Sequence, residues 1–436
     1  MTTLAGVAGA PLATVNRRLV AGGTFILFGL IDIVLGYFAH KGDATFALSL
    51  PTASVHVPSI HAPAAVICYV LGAASVALGT WRATVDPSRR VRRLSIAVVL
   101  LFFVISLLLW ADAGSTIPIN LVNLLQNTLT GSIPLILGAL AGCVCERSGV
   151  INIAIEGQLL LGAFTAAVVA SVSSLWLGLI SGSLSGGLIG FLLAVFAIKY
   201  FADQIILGVV LNVLALGLTN YLYDSILVNH QNLNAGNTFS VVKIPVLGDI
   251  PVIGPIFFNS NIFLYLTYAA IIVVQIGLFS TRWGLRVRAV GEHPTAADTV
   301  GIRVLGTRYS NVIMGGLLAG IGGAYLTVGS VGTFSPDMSS GLGYIALAAM
   351  IFGRWTPLGA TAAALLFGFT EALGNILGSI NVPIPTYILA TAPYVATIFA
   401  VAGLVGRVRA PAADGKPYIK ARGGEVACPA CSGRGG

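Results

Sequence analysis

The sequence predicts an all-α polytopic membrane protein with about 10 to 12 transmembrane helices. Apolar residues make up 56% of its 436 residues, charged residues make up only 9%, and the mean hydropathy is +0.93. Soluble domains carry about 25% charged residues, so this chain has too few charges to cover several soluble domains. The net charge of +8 does not indicate a nucleic-acid partner, because the basic residues form short clusters between long apolar stretches.

Eleven apolar stretches are close to the length of about 20 residues that a helix needs to cross a bilayer. They lie near 19–38, 62–80, 94–110, 117–142, 150–172, 175–198, 204–222, 262–280, 309–329, 356–377 and 386–405. The first is longer than the apolar segment of about 7 to 15 residues in a signal peptide, so we interpret it as a retained helix. A twelfth stretch, 344–352, crosses only if 334–343 is partly embedded, and a re-entrant segment is the alternative.

The distribution of basic residues predicts that both termini are cytoplasmic. With twelve crossings, 21 of the 23 lysines and arginines fall on the cytoplasmic side, and only Lys41 and Lys243 fall outside. Basic residues are enriched in cytoplasmic loops. Removing the weak crossing would place the basic C-terminal tail on the wrong side of the membrane.

The cysteines and the C-terminal tail indicate neither disulfides nor a metal centre. The five cysteines form no even framework, so reduced thiols are expected. Cys428 and Cys431 form a single CxxC pair, which supplies half of a four-ligand zinc site. The tail after Gly406 is rich in Gly, Ala, Lys and Arg and is expected to be disordered at least as far as Cys428.

Polar residues inside apolar stretches mark the candidate translocation path. Acidic groups are costly in a bilayer and are usually paired or functional, and Asp32, Glu156 and Glu371 are of this kind. Glu156 and Glu371 each share a helical face with an asparagine four residues away, and we expect those two faces to point inward. The alternative is that such residues hold helices together or cap broken helices. The candidate path residues are Asn123, Asn127, Asn152, Glu156, Asn212, Glu371 and Asn375.

Glycines at four-residue spacing predict close helix packing. Such spacing lets helix backbones approach each other in lipid. The pairs and triplets are Gly138/Gly142, Gly182/Gly186/Gly190, Gly316/Gly320 and Gly374/Gly378.

The inner loop 281–301 predicts a short surface helix that could dock on another protein. Pro294 suits a first helical turn, and Gly301 suits the end of the segment. Ala296 and Ala297 would permit close approach, while Glu292 and Asp298 would offer charge. The alternative is a solvated linker helix.

Three separated motifs resemble the permease subunits of bacterial ABC importers, in the branch of nucleoside and simple-sugar permeases related to ribose and branched-chain amino acid permeases. The motifs are 146–164, 282–301 and 345–359. In that family the pattern Gly-Glu-x-Pro-x-Ala-Ala forms the coupling helix that meets the ATPase. The resemblance therefore implies coupling roles for Gly291, Glu292, Pro294, Ala296, Ala297, Asp298 and Gly301.

The resemblance also implies the organisation and partners of the protein. A permease core at 111–405 would follow a three-helix membrane extension at 1–110 and precede the cytoplasmic tail 406–436. The chain has no phosphate-binding loop, so we expect no catalytic residues, cofactor or metal here, and ATP and Mg²⁺ on a separate ATPase subunit. Other expected partners are a second permease, identical or related, and an extracytoplasmic solute-binding lipoprotein.

The resemblance leaves the solute open. A bacterial plasma membrane importer of nucleosides is the main hypothesis, and simple sugars or branched-chain amino acids are alternatives for the same machinery. An ion-coupled secondary transporter is the alternative from another class, and it would be expected to use buried ionisable residues or broken helices.

Overall fold

The computed structural model describes residues 17–39, 42–49, 57–115, 118–379, 391 and 409–420. Within these residues, ten helices are long and apolar enough to cross a membrane. This confirms the predicted all-α polytopic membrane fold. The predicted span 386–405, apart from residue 391, and the Cys428/Cys431 pair lie outside the described residues.

The helices and strands are numbered here in chain order. The helices are α1 (Arg17–Phe38), α2 (Ala64–Thr84), α3 (Arg89–Asp112), α4 (Leu121–Glu146), α5 (Ile155–Val172), α6 (Leu175–Ala194), α7 (Gln204–Leu222), α8 (Ile253–Phe257), α9 (Ile262–Ser280), α10 (Arg282–Glu292), α11 (Pro294–Thr299), α12 (Val304–Ala324), α13 (Leu342–Phe352) and α14 (Pro357–Ser379). The strands are β1 (Ala44–Ala47), β2 (Ile60–Ala62), β3 (Ile119–Asn120), β4 (Val242–Lys243) and β5 (Asn259–Ser260). The ends of α6, α7 and α12 continue as π-helical segments, at Val195–Lys199, Tyr223–Leu227 and Tyr325–Val331.

Several helix starts follow directly from capping residues in the sequence. The Asp203 carboxylate accepts hydrogen bonds from the first backbone N–H groups of α7, at 2.9 and 3.0 Å. Ser174, Asn261 and Thr281 cap α6, α9 and α10 in the same way. Each such cap stabilises a helix by about 1 kcal/mol, and it fixes where a long apolar run becomes helical.

The chain divides into two compact units, of which the first contains 1–123 and 374–389. Its helices α1 and α2 pack backbone to backbone at glycines. A Cβ at Gly29 would lie 2.7 Å from the Gly72 carbonyl oxygen, and a Cβ at Gly22 would lie 2.7 Å from that of Gly79. The strands of this unit form a small sheet in the order β2-β1-β3, in which β1 is antiparallel to β2 and parallel to β3.

Asp32 is fully buried within this first unit, as predicted for an acidic residue in a membrane span. The hydroxyl-bearing Ser75 and Ser106 of α2 and α3 are also fully buried. Both serines lie close to the Asp32 carboxyl group. Asp32 thus lies among polar neighbours of its own unit and away from lipid.

The second unit contains 124–373 and 390–436, and glycines again set its closest helix contact. A Cβ at Gly186 would lie 2.5 Å from the Gly316 carbonyl oxygen and 2.6 Å from the Gly320 Cα. Helices α6 and α12 therefore meet at backbone distance, and the glycine-spacing prediction is confirmed for this pair. In α4, a Cβ at Gly138 would lie 2.8 Å from the Ala346 Cβ of α13.

Hydrogen bonds define two ends of this second unit. At one end, the Asn234 side chain and the Phe334 backbone exchange bonds of 2.9 and 2.7 Å, and the Ala235 backbone N–H donates to the Ser171 hydroxyl. At the other end, the Arg147 Nε donates to the Trp355 carbonyl oxygen at 2.8 Å. Residues 334–355 therefore run from one end to the other.

The short apolar stretch near 344–352 thus crosses and does not re-enter. Its first part, 332–341, is not a regular helix, and its second part is the 11-residue helix α13. At about 1.5 Å per residue, α13 covers only about half of a bilayer. This crossing is a broken one, which resolves the alternative that the sequence left open.

Candidate functional site

The predicted coupling helix is present at the expected position. Helix α10 ends at Glu292, and the six-residue helix α11 begins at Pro294. The segment then turns at Gly301, whose φ of +84° is readily adopted by glycine. The structure therefore confirms the short helix, and its role in coupling remains a prediction at this point.

The two alanines of α11 do not share one surface, and here the sequence prediction was wrong. Ala296 is exposed, but Ala297 is only 4% exposed. Ala297 packs in a cluster with Val290, Val304 and Tyr418. Successive residues of a helix point about 100° apart, so a helix lying on its own protein buries one of two adjacent alanines.

The C-terminal tail segment 409–420 lies against this coupling region. The Ala413 backbone N–H donates to the Gly291 carbonyl oxygen at 2.9 Å, and the Ala412 N–H donates to Glu292 Oε2 at 3.3 Å. The Tyr418 side chain lies close to the Asp298 carboxylate. The expectation of a disordered tail as far as Cys428 therefore differs from the structure of this segment.

Buried polar side chains, among them Arg308 and Glu146, hold the same tail segment in place. Arg308 is 2% exposed, and its Nη1 donates to the Lys416 carbonyl oxygen at 2.8 Å. The Asp414 carboxyl group lies beside that of Glu146, which accepts a hydrogen bond from the Trp355 indole N–H. Two neighbouring buried carboxyl groups favour a proton on one of them. Burial raises the pKa of Asp414 from its ordinary value of 3.8 to about 7.

A basic groove lies beside the coupling helix. It has a volume of about 790 Å³ and is lined by α10 and by residues 300–307. Three arginines, Arg282, Arg286 and Arg303, line it together with the exposed Leu285 and Val300. Exposed apolar groups among positive charges favour a partner surface that has both apolar and acidic groups.

Glu156 holds the start of the broken crossing. Its carboxylate accepts hydrogen bonds from the Ser339 hydroxyl at 2.6 Å, the Gly341 N–H at 2.9 Å and the Gly343 N–H at 2.6 Å. Gly341 is the N-cap residue of α13. Glu156 therefore satisfies the free donors at the start of α13 and places a negative charge at the positive end of its dipole.

Asn212 joins three elements next to Glu156. Its side-chain oxygen accepts from the Gly157 N–H at 2.8 Å, and its amide nitrogen donates to the Ile153 carbonyl oxygen at 2.9 Å. The same nitrogen lies 3.1 Å from the Tyr344 hydroxyl. Asn212 of α7 thus ties the start of α5 to α13.

Asn152 and Glu156 do not share a helical face, so this part of the prediction was wrong. Helix α5 begins only at Ile155, and Asn152 lies in the preceding turn. Its amide nitrogen lies 3.2 Å from the Gln158 side-chain oxygen and 3.5 Å from the Cys145 sulfur. Asn152 therefore stabilises the turn that leads into α5.

The other candidate path residues are exposed on the single chain. Asn123, Asn127, Glu371 and Asn375 all have exposed side chains. The expectation that Glu371 faces the interior of its own bundle is therefore wrong. A carboxyl group in a spanning helix needs water or a polar partner around it.

Comparison with known proteins identifies the family. Residues 124–405 match the family described as the permease component of the branched-chain amino acid transport system. The chain belongs to this permease family. The guanosine ABC transporter permease NupQ of Bacillus subtilis is 43% identical over 309 residues, which cover 68% of this chain and 96% of NupQ.

Two further relatives extend this comparison. The nucleoside ABC transporter permease NupC of Lactococcus lactis is 40% identical over 318 residues, covering 70% of this chain and all of NupC. A putative glucose ABC transporter permease of Haloferax volcanii is 35% identical over 256 residues, covering 58% of this chain and 76% of that protein. No solved structure matches the chain significantly.

Family membership establishes what kind of protein this is. It is a multi-pass membrane protein and a permease subunit of an ABC transporter, and ATP is hydrolysed by a separate subunit. The permease is therefore not an enzyme. The roles of individual residues in this permease remain predictions.

Sequence reasoning missed several residues of the broken crossing that contains α13. Asp337 and Ser340 adopt positive φ values of 54° and 43°, which non-glycine residues rarely do, and both are exposed. Tyr344 is 47% exposed at the start of α13. The run Ser335-Pro336-Asp337 and the pair Gly341 and Gly343 are the signals that could have indicated the break, but no local pattern links them to Glu156.

Proposed function

We propose that the permease imports nucleosides across the bacterial plasma membrane, with energy from an ABC ATPase subunit and solute delivered by an extracytoplasmic binding lipoprotein. The observation that carries the substrate class is the similarity to NupQ and NupC over nearly their whole lengths. The more distant similarity to a putative glucose permease keeps sugars as the second candidate.

Competition for uptake tests the substrate class. In proteoliposomes that hold the permease and its partners, ATP on the cytoplasmic side should drive uptake of labelled guanosine. Unlabelled adenosine and uridine should compete, whereas glucose and leucine should not. Competition by glucose or leucine alone would overturn the nucleoside assignment, and guanosine uptake that needs an ion gradient and no ATP would overturn the ATP-driven mechanism.

We infer that the solute passes along the exposed polar side chains of α4 and α14, which are Asn123, Asn127, Glu371 and Asn375. Side-chain amides can exchange hydrogen bonds with hydroxyl groups and with heteroaromatic rings. The buried group of Glu156, Asn152 and Asn212 instead holds the shape of the broken crossing. A second permease, identical or related, would close the path, because an exposed carboxyl group such as that of Glu371 cannot face lipid at low cost.

Two substitutions separate these roles. Asn127→Leu should raise the KM for guanosine at unchanged protein abundance, because it removes an exposed hydrogen-bonding group without disturbing a buried one. Ile206→Leu, on a 66% exposed apolar position of α7, should leave uptake unchanged. An unchanged KM in Asn127→Leu would remove this residue from the path.

The surface of α11 is proposed as the ATPase contact. Ala296 is exposed on this helix, so Ala296→Trp should weaken copurification of the ATPase while insertion of the permease stays normal. Glu292→Arg should act in the same direction by reversing a charge at the same site. Ile206→Trp places the same side chain on the exposed face of α7 and serves as control. Full assembly and transport in both coupling variants would make 281–301 an ordinary linker.

A further inference from the structure

The C-terminal segment Pro411–Tyr418 is attached to the coupling helix by contacts of several kinds. Two backbone N–H groups, those of Ala412 and Ala413, donate to Glu292 and Gly291 at the end of α10. Tyr418 is 8% exposed and packs in the cluster that contains Ala297 of α11. The segment therefore contacts both helices of the coupling region.

The same segment is also tied to the transmembrane helices. Arg308, near the start of α12, donates to the Lys416 carbonyl oxygen, and the Asp414 carboxyl group lies beside that of Glu146 at the end of α4. Gly415 has a φ of +72°, which permits the sharp turn between these two contacts. Pro411–Tyr418 thus links α4 and α12 to α10 and α11.

Helix α11 depends on tertiary contacts, and this segment supplies part of them. The helix has only six residues, and a helix of this length does not form stably without tertiary contacts. Its inward-facing residue, Ala297, is covered by Val290, Val304 and Tyr418. Tyr418 is the one aromatic side chain in this cluster, and it lies close to Asp298 of α11.

We propose that Pro411–Tyr418 is a positioning element of the ATPase coupling site, which holds α11 in the orientation that transmits movement to the transmembrane helices. This inference rests on the proposed coupling role of α11. Tyr418 acts as a positioning residue through its contact with Ala297, and the exposed Ala296 of α11 remains free to meet the ATPase.

The first test measures the packing of α11 without the ATPase. In a chain that ends at Lys420, which lacks Cys428 and Cys431, the described Cys68, Cys143 and Cys145 are buried. Ala297→Cys in this chain should react slowly with a maleimide. The same substitution should react at least tenfold faster when the chain ends at Ala410 or carries Tyr418→Ala. Tyr418→Phe, which keeps the ring, should stay close to the slow rate.

The second test measures coupling in reconstituted transporters. The chain that ends at Ala410 should insert and accumulate normally, but it should move several-fold less guanosine per ATP hydrolysed than the full chain. The chain that ends at Lys420 is the matched control and should behave as the full chain does. Ile419→Ala, at a 73% exposed position, should also change nothing.

The two hypotheses fail in different ways. If the full chain shows no ATP-driven uptake, the proposed function is wrong. If the full chain transports, and ending the chain at Ala410 changes neither the maleimide reactivity of Ala297→Cys nor the guanosine moved per ATP, the positioning role is wrong. Equal loss in the chains ending at Ala410 and at Lys420 would also contradict it, because the effect would then belong to residues 421–436.

Discussion

Substitution of Glu156 by glutamine should disconnect α13 from α5 with almost no change in side-chain volume. The carboxylate accepts three hydrogen bonds through its two oxygens, from Ser339, Gly341 and Gly343. Glutamine offers one oxygen, and its amide nitrogen would face a backbone or hydroxyl donor that has no other acceptor. The side chain of Glu156 is 8% exposed, so water does not readily replace the lost acceptor.

The expected cost follows from these contacts. One unsatisfied buried donor costs about 1 to 3 kcal/mol. Loss of the negative charge at the start of α13 adds about 0.3 to 1 kcal/mol. The total is about 1 to 4 kcal/mol, concentrated on a helix of 11 residues that has few other means of fixing its start.

Two measurements distinguish this loss from a general effect of removing a carboxylate. Glu156→Gln should lower the melting temperature of the purified permease and increase hydrogen exchange in residues 339–345. Glu371→Gln is the matched control, because Glu371 is exposed on the single chain, and it should leave both measurements unchanged. Exchange in 339–345 that is unchanged by Glu156→Gln, or equally increased by Glu371→Gln, would refute the capping role.

Three further predictions follow from the packing and from the tail. Gly186→Ala places a methyl group 2.5 Å from the Gly316 carbonyl oxygen and should destabilise the permease by about 1 to 3 kcal/mol in thermal unfolding, whereas Gly217→Ala, with nothing within 4 Å, should be neutral or stabilising. Docking of the tail should weaken as the pH rises from about 4 to about 7, because the docked Asp414 has a raised pKa and binds its proton more tightly than the free tail does. Hydrogen exchange of residues 411–418, corrected for its intrinsic pH dependence, should show this change, and Asp414→Asn should reduce it. Asn212→Leu should increase exchange at the start of α5, because it removes the acceptor of the Gly157 N–H; unchanged exchange there would contradict the linking role of Asn212.

Hydropathy predicted the spans because lipid imposes one simple requirement on every crossing. Ten spans were recovered as helices, and the spacing of Gly182, Gly186 and Gly190 indicated a real helix contact. Such features depend on residues that are close in the sequence, so a single chain is sufficient to find them.

The functional details depended on contacts between distant residues, which local patterns do not contain. Glu156 meets Gly341 across 185 positions. The four-residue spacing of Asn152 and Glu156 predicted a shared helical face, but the helix begins between them. The sequence predicts Ala297 as a docking residue, but the structure buries it in a cluster with Tyr418. Tyr418 belongs to a tail whose composition predicts disorder, so no sequence pattern shows that it packs against Ala297.

Helix α12 runs along the length of the second unit. It begins beside the coupling helix and, with its π-helical extension, reaches Val331 at the opposite end of the second unit. The glycine contact with α6 brings two backbones together with no side chains between them, so the two helices have little freedom to slide and turn as one rigid body. If α11 meets the ATPase as proposed, a tilt imposed there would turn α6 and α12 together and displace the far end of α12, which leads into the loop that Glu156 anchors.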